Sequence, residues 1–216
     1  MSETVKIKRV YFVRHGESVA NIDDLVQDMN DPLSETGERQ ALRIAERTQN
    51  IDFDILISSD YARAHSTAKR ISEACKKEIN FSELFREYRR PASFVGQPYH
   101  SDVFQAFLSE MRENAGNKDW HFEDAESFYE IFARAKKALA YLESLKEDTV
   151  LVVTHGAFLR SLLAVVLWGE QAKPEYLPQI VDFSVRVPNN TAITIFTLEN
   201  NRWRLMTWND HAHFAE

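Results

Sequence analysis

Val10-Tyr11-Phe12-Val13-Arg14-His15-Gly16-Glu17-Ser18-Val19-Ala20-Asn21 is the stretch whose reading decides the fold. Four apolar, β-branched or aromatic residues in a row, closed by a turn signal, predict a strand buried on both faces, the kind found in parallel sheets. The run ends on a charged pair and a glycine. In open α/β sheets the carboxyl ends of the strands are where ligands sit. His15 is a potential nucleophile, acid/base group or metal ligand. Arg14 offers a permanent forked cation matched to phosphate. Gly16 lets the backbone come close to a ligand.

Three residues alone carry little weight, but the arrangement recurs. Val150-Leu151-Val152-Val153-Thr154-His155-Gly156 is a second buried-type strand ending on His-Gly, and residues 157–168 after it read as an apolar helix. Two such strands in one sheet would deliver two histidines to the same edge.

The chain has 216 residues, enough for one domain with a substantial core. Its net charge of −7 argues against a general nucleic-acid or anionic-membrane binder, so any anion site must be a local cluster of arginines. A single cysteine, Cys75, permits no intrachain disulfide and fits a reducing, cytoplasmic setting. Met1-Ser2-Glu3-Thr4-Val5-Lys6 has no signal-peptide pattern. The apolar run 157–168 is too short to span a bilayer and is interrupted by Arg160. No Cys/His spacing matches a structural zinc site.

In chain order, strands are expected at 6–13, 53–57, 79–84, 149–154, 182–187, 191–198 and 202–208. The short links 188–190 and 199–201 point to antiparallel neighbours at one edge. Helices are expected from Ser34, as cap, to about Gln49, with an apolar stripe of Ala41, Leu42, Ile44 and Ala45, and from Tyr61 to Lys76. Another is expected within 123–146, where Phe128, Phe132, Ala135, Leu139 and Leu142 share a face. Between 91 and 124 the pattern breaks down around one short helix near 103–113, which reads as a cap-like insertion over the sheet edge. The expected organisation is thus one domain, 1–216, with this insertion.

A phosphate monoester suits these residues. Phosphoryl transfer needs an in-line nucleophile, cations around the equatorial oxygens and a proton for the leaving alkoxide. His15 supplies the first, if its other nitrogen donates to a fixed acceptor. Arg14, Arg63 and His155 can surround the oxygens, with Asn21 and the backbone amides after Gly156 as further donors. Arg63, in the first turn of its helix, is otherwise a solvated arginine working against the macrodipole. Glu87, just past the third strand, is the best-placed acid, although Arg86 and Arg89 beside it would lower its pKa. Its alternative reading is a surface carboxylate in an exposed pair.

The chain resembles the histidine phosphatase superfamily, also called phosphoglycerate mutase-like. The resemblance rests on Arg14-His15-Gly16-Glu17-Ser18-x-x-Asn21, Pro32-Leu33-Ser34-x-x-Gly37-x-x-Gln40-Ala41, Ser58-Ser59-x-x-x-Arg63-Ala64-x-x-Thr67-Ala68, Thr154-His155-Gly156 and Asn190-Thr191-Ala192-Ile193, in family order across nearly the whole chain. It implies a three-layer αβα sandwich, with a mostly parallel sheet and an antiparallel edge. It implies His15 as the phosphorylated nucleophile, Arg14, Arg63 and His155 as the phosphate pocket, and Glu87 as proton donor. Ser18, Asn21 and Gly156 are implied as substrate contacts. The implied activity is metal-independent phosphomonoester hydrolysis, of the histidine acid phosphatase type, without metal or organic cofactor. The alternatives are a phosphoglycerate-type mutase and a non-catalytic phospho-ligand binding module. The family's glycolytic mutases carry longer, differently patterned insertions, which favours a hydrolase. The expected partner is a small-molecule phosphomonoester, with no nucleic acid and no membrane; a homodimer is left open.

His65, His100 and His121 have no motif support. Asp210-His211-x-His213 reads as a packed or frayed tail more readily than as a metal site. Arg86, Arg89 and Arg90 are either solvated or make the pocket mouth basic, which would favour a second anionic group on the substrate.

Overall fold

The computed structural model describes residues 7–180 and 186–214. Among these are strands β1 (Lys8–Arg14), β2 (Ile55–Ser58), β3 (Ile79–Phe81), β4 (Thr149–Thr154), β5 (Ile193–Glu199) and β6 (Arg202–Asp210). The helices are α1 (Val19–Ile22), α2 (Glu35–Thr48), α3 (Ala62–Cys75), α4 (Asp102–Glu113), α5 (Phe128–Ser144), α6 (Gly156–Trp168) and the single turn α7 (Leu177–Gln179). The six strands form one sheet in the order β3-β2-β4-β1-β5-β6. The first four are parallel; β5 and β6 run antiparallel at one edge.

The period-2 alternation of β4 sorts the two helical layers. Val150 and Val152 face a cluster that contains Leu139 and Leu142 of α5 and Leu159 and Leu162 of α6. Leu151 and Val153 face the other way, onto Ile44 and Ala45 of α2 and Ala64, Ala68 and Ile71 of α3. The result is a three-layer αβα sandwich. β4 and α6 are buried over nearly their whole length, which is why neither shows a polar face in the sequence.

Several expectations shift. Leu42 is half exposed rather than core, because the inward face of α2 is Gly37, Ala41, Ile44, Ala45 and Thr48. The third strand stops at Phe81, and a 3-10 turn over Glu83–Phe85 takes its place. α5 starts only at Phe128, where Ser127 and Glu130 form a reciprocal capping box. The strand expected at 182–187 falls mainly outside the described residues; Arg186 and Val187 are irregular.

The loop after β1 docks on the start of α2 by contact that only glycines allow. A Cβ on Gly37 would lie 1.9 Å from the Glu17 carbonyl oxygen, and one on Gly16 would lie 2.6 Å from the Gly37 carbonyl oxygen. Ser34 Oγ accepts from the Gly37 amide at 2.9 Å and donates to Glu17 Oε1 at 2.6 Å. These contacts hold the segment that follows His15.

Candidate active site

Strand register places the two histidines. β1 and β4 pair in parallel with Val13 opposite Val153 and Arg14 opposite Thr154, so the next residue of each strand emerges at the same edge. The His15 amide donates to the Thr154 carbonyl at 3.0 Å, and the imidazole centroids lie 5.1 Å apart. Both side chains are buried.

His15 Nδ1 lies 2.6 Å from the Gly16 carbonyl oxygen. A carbonyl only accepts, so Nδ1 carries the proton and Nε2 the lone pair. Arg63 Nε donates to that Nε2 at 3.3 Å. Burial, reinforced by Arg63 and Arg14, holds the His15 pKa well below the usual histidine value. Burial and Arg63 do the same to His155. Each ring is therefore neutral at physiological pH. His155 Nε2 meets Ser59 Oγ at 2.8 Å, while its Nδ1 is buried without a partner.

Arg63 is not a surface residue: it is 1% exposed, and its NH1 donates to the Asp28 carbonyl at 2.7 Å. Arg14 donates to the Pro188 carbonyl at 2.6 Å and keeps a buried Nε with no partner. Burial pushes Arg14 down to about 10, against the pull of Glu87, and leaves it charged at neutral pH. The buried Arg63 guanidinium, the partly buried one of Arg14 and two neutral imidazoles thus share one edge of the sheet, a setting that favours an anion.

Glu87 is buried beside them, not in an exposed pair. Its Oε1 accepts from the amides of Tyr88 at 2.8 Å and Phe158 at 2.9 Å, and its Oε2 from Ala157 at 3.0 Å. Two corrections follow. The Ala157 and Phe158 amides, expected to face a phosphate, are taken by this carboxylate, which sits at the positive end of α6. The cations acting on Glu87 are Arg90 and Arg63, not Arg86 and Arg89. Burial acts to raise the Glu87 pKa, but Arg90, the Tyr88 and Ala157 amides and Arg63 outweigh it, and the net direction is down. Arg86 is held away by Asp60, at 2.7 Å from its Nε, and Arg89 donates to the Asp124 carbonyl.

Sequence reasoning missed what holds Glu87. Arg134 of α5 donates to the carbonyls of Leu84 at 3.1 Å, Arg86 at 2.8 Å and Glu87 at 3.3 Å. It also grips both oxygens of Glu126 at 2.7 Å and stacks 4.3 Å from the Phe158 ring centroid. Nothing local in the sequence marks this hold, because the carbonyls that Arg134 reaches lie 47, 48 and 50 residues away.

A cavity of about 430 Å³ opens from this edge, lined by His15, Arg14, Glu87, Gly156 and Asn21 among others. Ser18, expected to touch a ligand, is instead fully buried as the cap of α1, and its Oγ accepts from Gln27 Nε2 at 2.9 Å. Asn21 completes that capping box. His213 packs the C-terminal turn onto α2, with one ring nitrogen 2.9 Å from Arg47 NH1 and the other 3.1 Å from Thr191 Oγ1. Burial and Arg47 push it down to about 4.

The model of the histidine phosphatase superfamily (branch 1) matches residues 10–211. The chain is 34% identical over 175 residues to the probable phosphoglycerate mutase GpmB of Citrobacter koseri, covering 76% of this chain and 78% of that one. It is 30% identical over 204 residues to the protein of that name in Enterobacter, covering 93% and 89%. Among solved structures, a mycobacterial glucosyl-3-phosphoglycerate phosphatase with VO3 superposes with a TM-score of 0.76 at 26% identity, over 94% of this chain and 99% of that one. None of the described helices is long and apolar enough to cross a membrane. The chain belongs to the histidine phosphatase superfamily, branch 1, and is an enzyme of its phosphatase or mutase type.

Proposed function

We propose that the protein is a metal-independent phosphomonoesterase that hydrolyses a small phosphorylated metabolite through a phosphohistidine on His15. The observation that carries this reading is the state of His15. It is neutral, its Nδ1–H is fixed on the Gly16 carbonyl, and its Nε2 lone pair faces Arg63 beside a second imidazole.

Nε2 attacks phosphorus in line while the bond from phosphorus to the ester oxygen breaks. Arg14, Arg63 and His155 stabilise the charge on the equatorial oxygens. The Gly16 carbonyl stabilises the positive charge that the ring acquires. Glu87 protonates the departing alkoxide. Because its pKa is lowered, the proton arrives with the substrate, whose phosphate monoanion loses its remaining proton with a pKa of about 6. The resulting Glu87 carboxylate then takes a proton from the water that attacks phosphohistidine, which frees His15 and inorganic phosphate. The cavity lies within the range of roughly 300–1,000 Å³ usual for small ligands. In the same reading the chain is one domain, 1–216, residues 91–124 are its cap-like insertion, and the free Cys75 fits a cytoplasmic setting.

The mutase names of the sequence relatives make phosphoglycerate mutase chemistry the second reading. One experiment addresses both. Wild type and His15→Ala are incubated with p-nitrophenyl phosphate and a panel of phosphorylated metabolites in chelator, with mutase activity followed in parallel. Wild type should hydrolyse, and a brief pulse of labelled substrate should leave an acid-labile, alkali-stable label that His15→Ala lacks. Label retained by His15→Ala, or a strict metal requirement, refutes the scheme. Isomerisation of phosphoglycerate faster than hydrolysis moves the protein to the mutase reading.

A further inference from the structure

The catalytic scheme sets Arg14 and Arg63 against the transferred phosphate, whereas Arg90, whose charge acts on Glu87, is given no contact with the substrate. Arg90 lines the cavity together with His15 and Glu87. Among the described residues it makes no ion pair. Its NH1 donates to the Tyr88 carbonyl at 3.2 Å, and its guanidinium lies 5.2 Å from the ring centroids of both Tyr88 and Tyr99. Its Nε is sealed from solvent and has no hydrogen-bond partner. Glu87, the carboxylate that influences it most, has spent its oxygens on three backbone amides. Its sequence neighbours show the contrast, since Arg86 is paired with Asp60 and Arg89 reaches an exposed carbonyl.

A desolvated guanidinium with an unmet N–H is costly unless an anion arrives. Aromatic faces offset part of that cost and fix the orientation of the fork, but they do not neutralise it. Arg112 and Arg160, each engaged elsewhere, add positive charge to the same cavity walls. Phe104, Leu108, Met111, Phe128 and Ile131 supply an apolar wall.

Resting on the phosphatase reading above, we propose that Arg90 receives a second anionic group of the substrate. The substrate is then a small phosphomonoester that carries a carboxylate or a second phosphate, joined to the transferred phosphoryl group through an apolar stretch. The fork of Arg90 binds the distal group while His15 attacks the proximal phosphorus.

Three substrates that share a three-carbon chain test this: propyl phosphate, 3-phosphooxypropanoate and propane-1,3-diyl bisphosphate. Wild type should favour one or both compounds with a second anionic group over propyl phosphate in kcat/KM by roughly 10–100-fold, the range of a charge-assisted hydrogen bond. Which of the two leads identifies the distal group. In Arg90→Gln the ratio should collapse toward one, mainly through KM. Arg90→Lys, which keeps the charge and loses the fork, should retain part of it. Thermal melts of each variant exclude unfolding as the cause. Equal losses on all three substrates would assign Arg90 to the transferred phosphate or to Glu87 and overturn the inference. A wild type that hydrolyses all three equally well would overturn it and leave the phosphatase reading intact. A wild type inert on these and on p-nitrophenyl phosphate would overturn the phosphatase reading, and this inference with it.

Discussion

Replacing Glu87 by Gln separates the structural role of this carboxylate from the acid role proposed for it. In the folded protein Oε1 accepts two amides and Oε2 one, at 2.8–3.0 Å. An amide side chain satisfies the pair at one oxygen but turns its NH2 toward a third N–H, so one buried bond becomes an opposition of donors. That costs about 1–3 kcal/mol, which a domain with about 5–15 kcal/mol of stability survives. The catalytic loss is separate. Without an acid, kcat/KM for an alkyl phosphate should fall by about 10²–10⁴-fold. For p-nitrophenyl phosphate, whose phenolate leaves without a proton, the fall should be much smaller. The assay is kcat/KM across esters of graded leaving-group pKa, because kcat/KM covers only the steps up to alcohol release. Melting curves report the structural cost independently. Its sign with pH is fixed: a carboxylate with a lowered folded pKa adds stability above its unfolded pKa of about 4.3 and loses it as pH falls through the folded value. The melting difference between wild type and Glu87→Gln should therefore shrink below about pH 4. Equal losses for good and poor leaving groups would refute the acid role. Asp24, the other carboxylate lining the cavity, would then be examined.

Arg134→Met should act through Glu87. It removes three carbonyl contacts and strands Glu126, a break worth about 3–5 kcal/mol for a buried pair. In the variant that remains folded, the loss of kcat/KM should grow with leaving-group pKa; a uniform loss would make Arg134 purely structural. Gly37→Ala should lower stability by at least about 1–3 kcal/mol in urea titration, because the new Cβ meets backbone that cannot move aside. Retained stability would mean that the loop after β1 shifts freely. The pH profile of kcat/KM on an alkyl phosphate should show no fall through His15 at the ordinary histidine pKa of about 6.5, because burial and Arg63 depress that pKa. It should decline above about pH 6 as the substrate loses the proton that Glu87 passes on; a rise there would contradict that route.

The strands that carry the two histidines were legible because burial on both faces writes itself as an unbroken apolar run. So were Arg14, His15, Arg63, Glu87 and His155 as one group, since each follows or opens an element whose end could be read. Leu42 misled because the inward stripe of α2 runs through Gly37, Ala41, Ile44, Ala45 and Thr48, and at about 100° per residue Leu42 falls beside that stripe, toward solvent. Ser18 misled for another reason: a hydroxyl near a ligand site and a hydroxyl that caps a helix look alike in sequence. Arg86, Arg89 and Arg90 could not be told apart, because the partners that occupy the first two, Asp60 and the Asp124 carbonyl, come from distant loops. The same distance hid the hold of Arg134 on the segment before Glu87.

The seat of Glu87 on the first amides of α6 has a consequence for turnover. Before substrate arrives, one negative charge rests there, facing Arg14, Arg63 and Arg90. In the mechanism proposed above, a phosphate monoanion that hands over its proton would take that charge onto its phosphoryl oxygens, and the helix end and the guanidiniums would see the same total. The step therefore relocates charge inside a fixed cationic frame without changing its sum. A frame of that kind has little dipolar rearrangement to make at the moment of bond breaking, which is the condition under which preset electrostatics lower a barrier most.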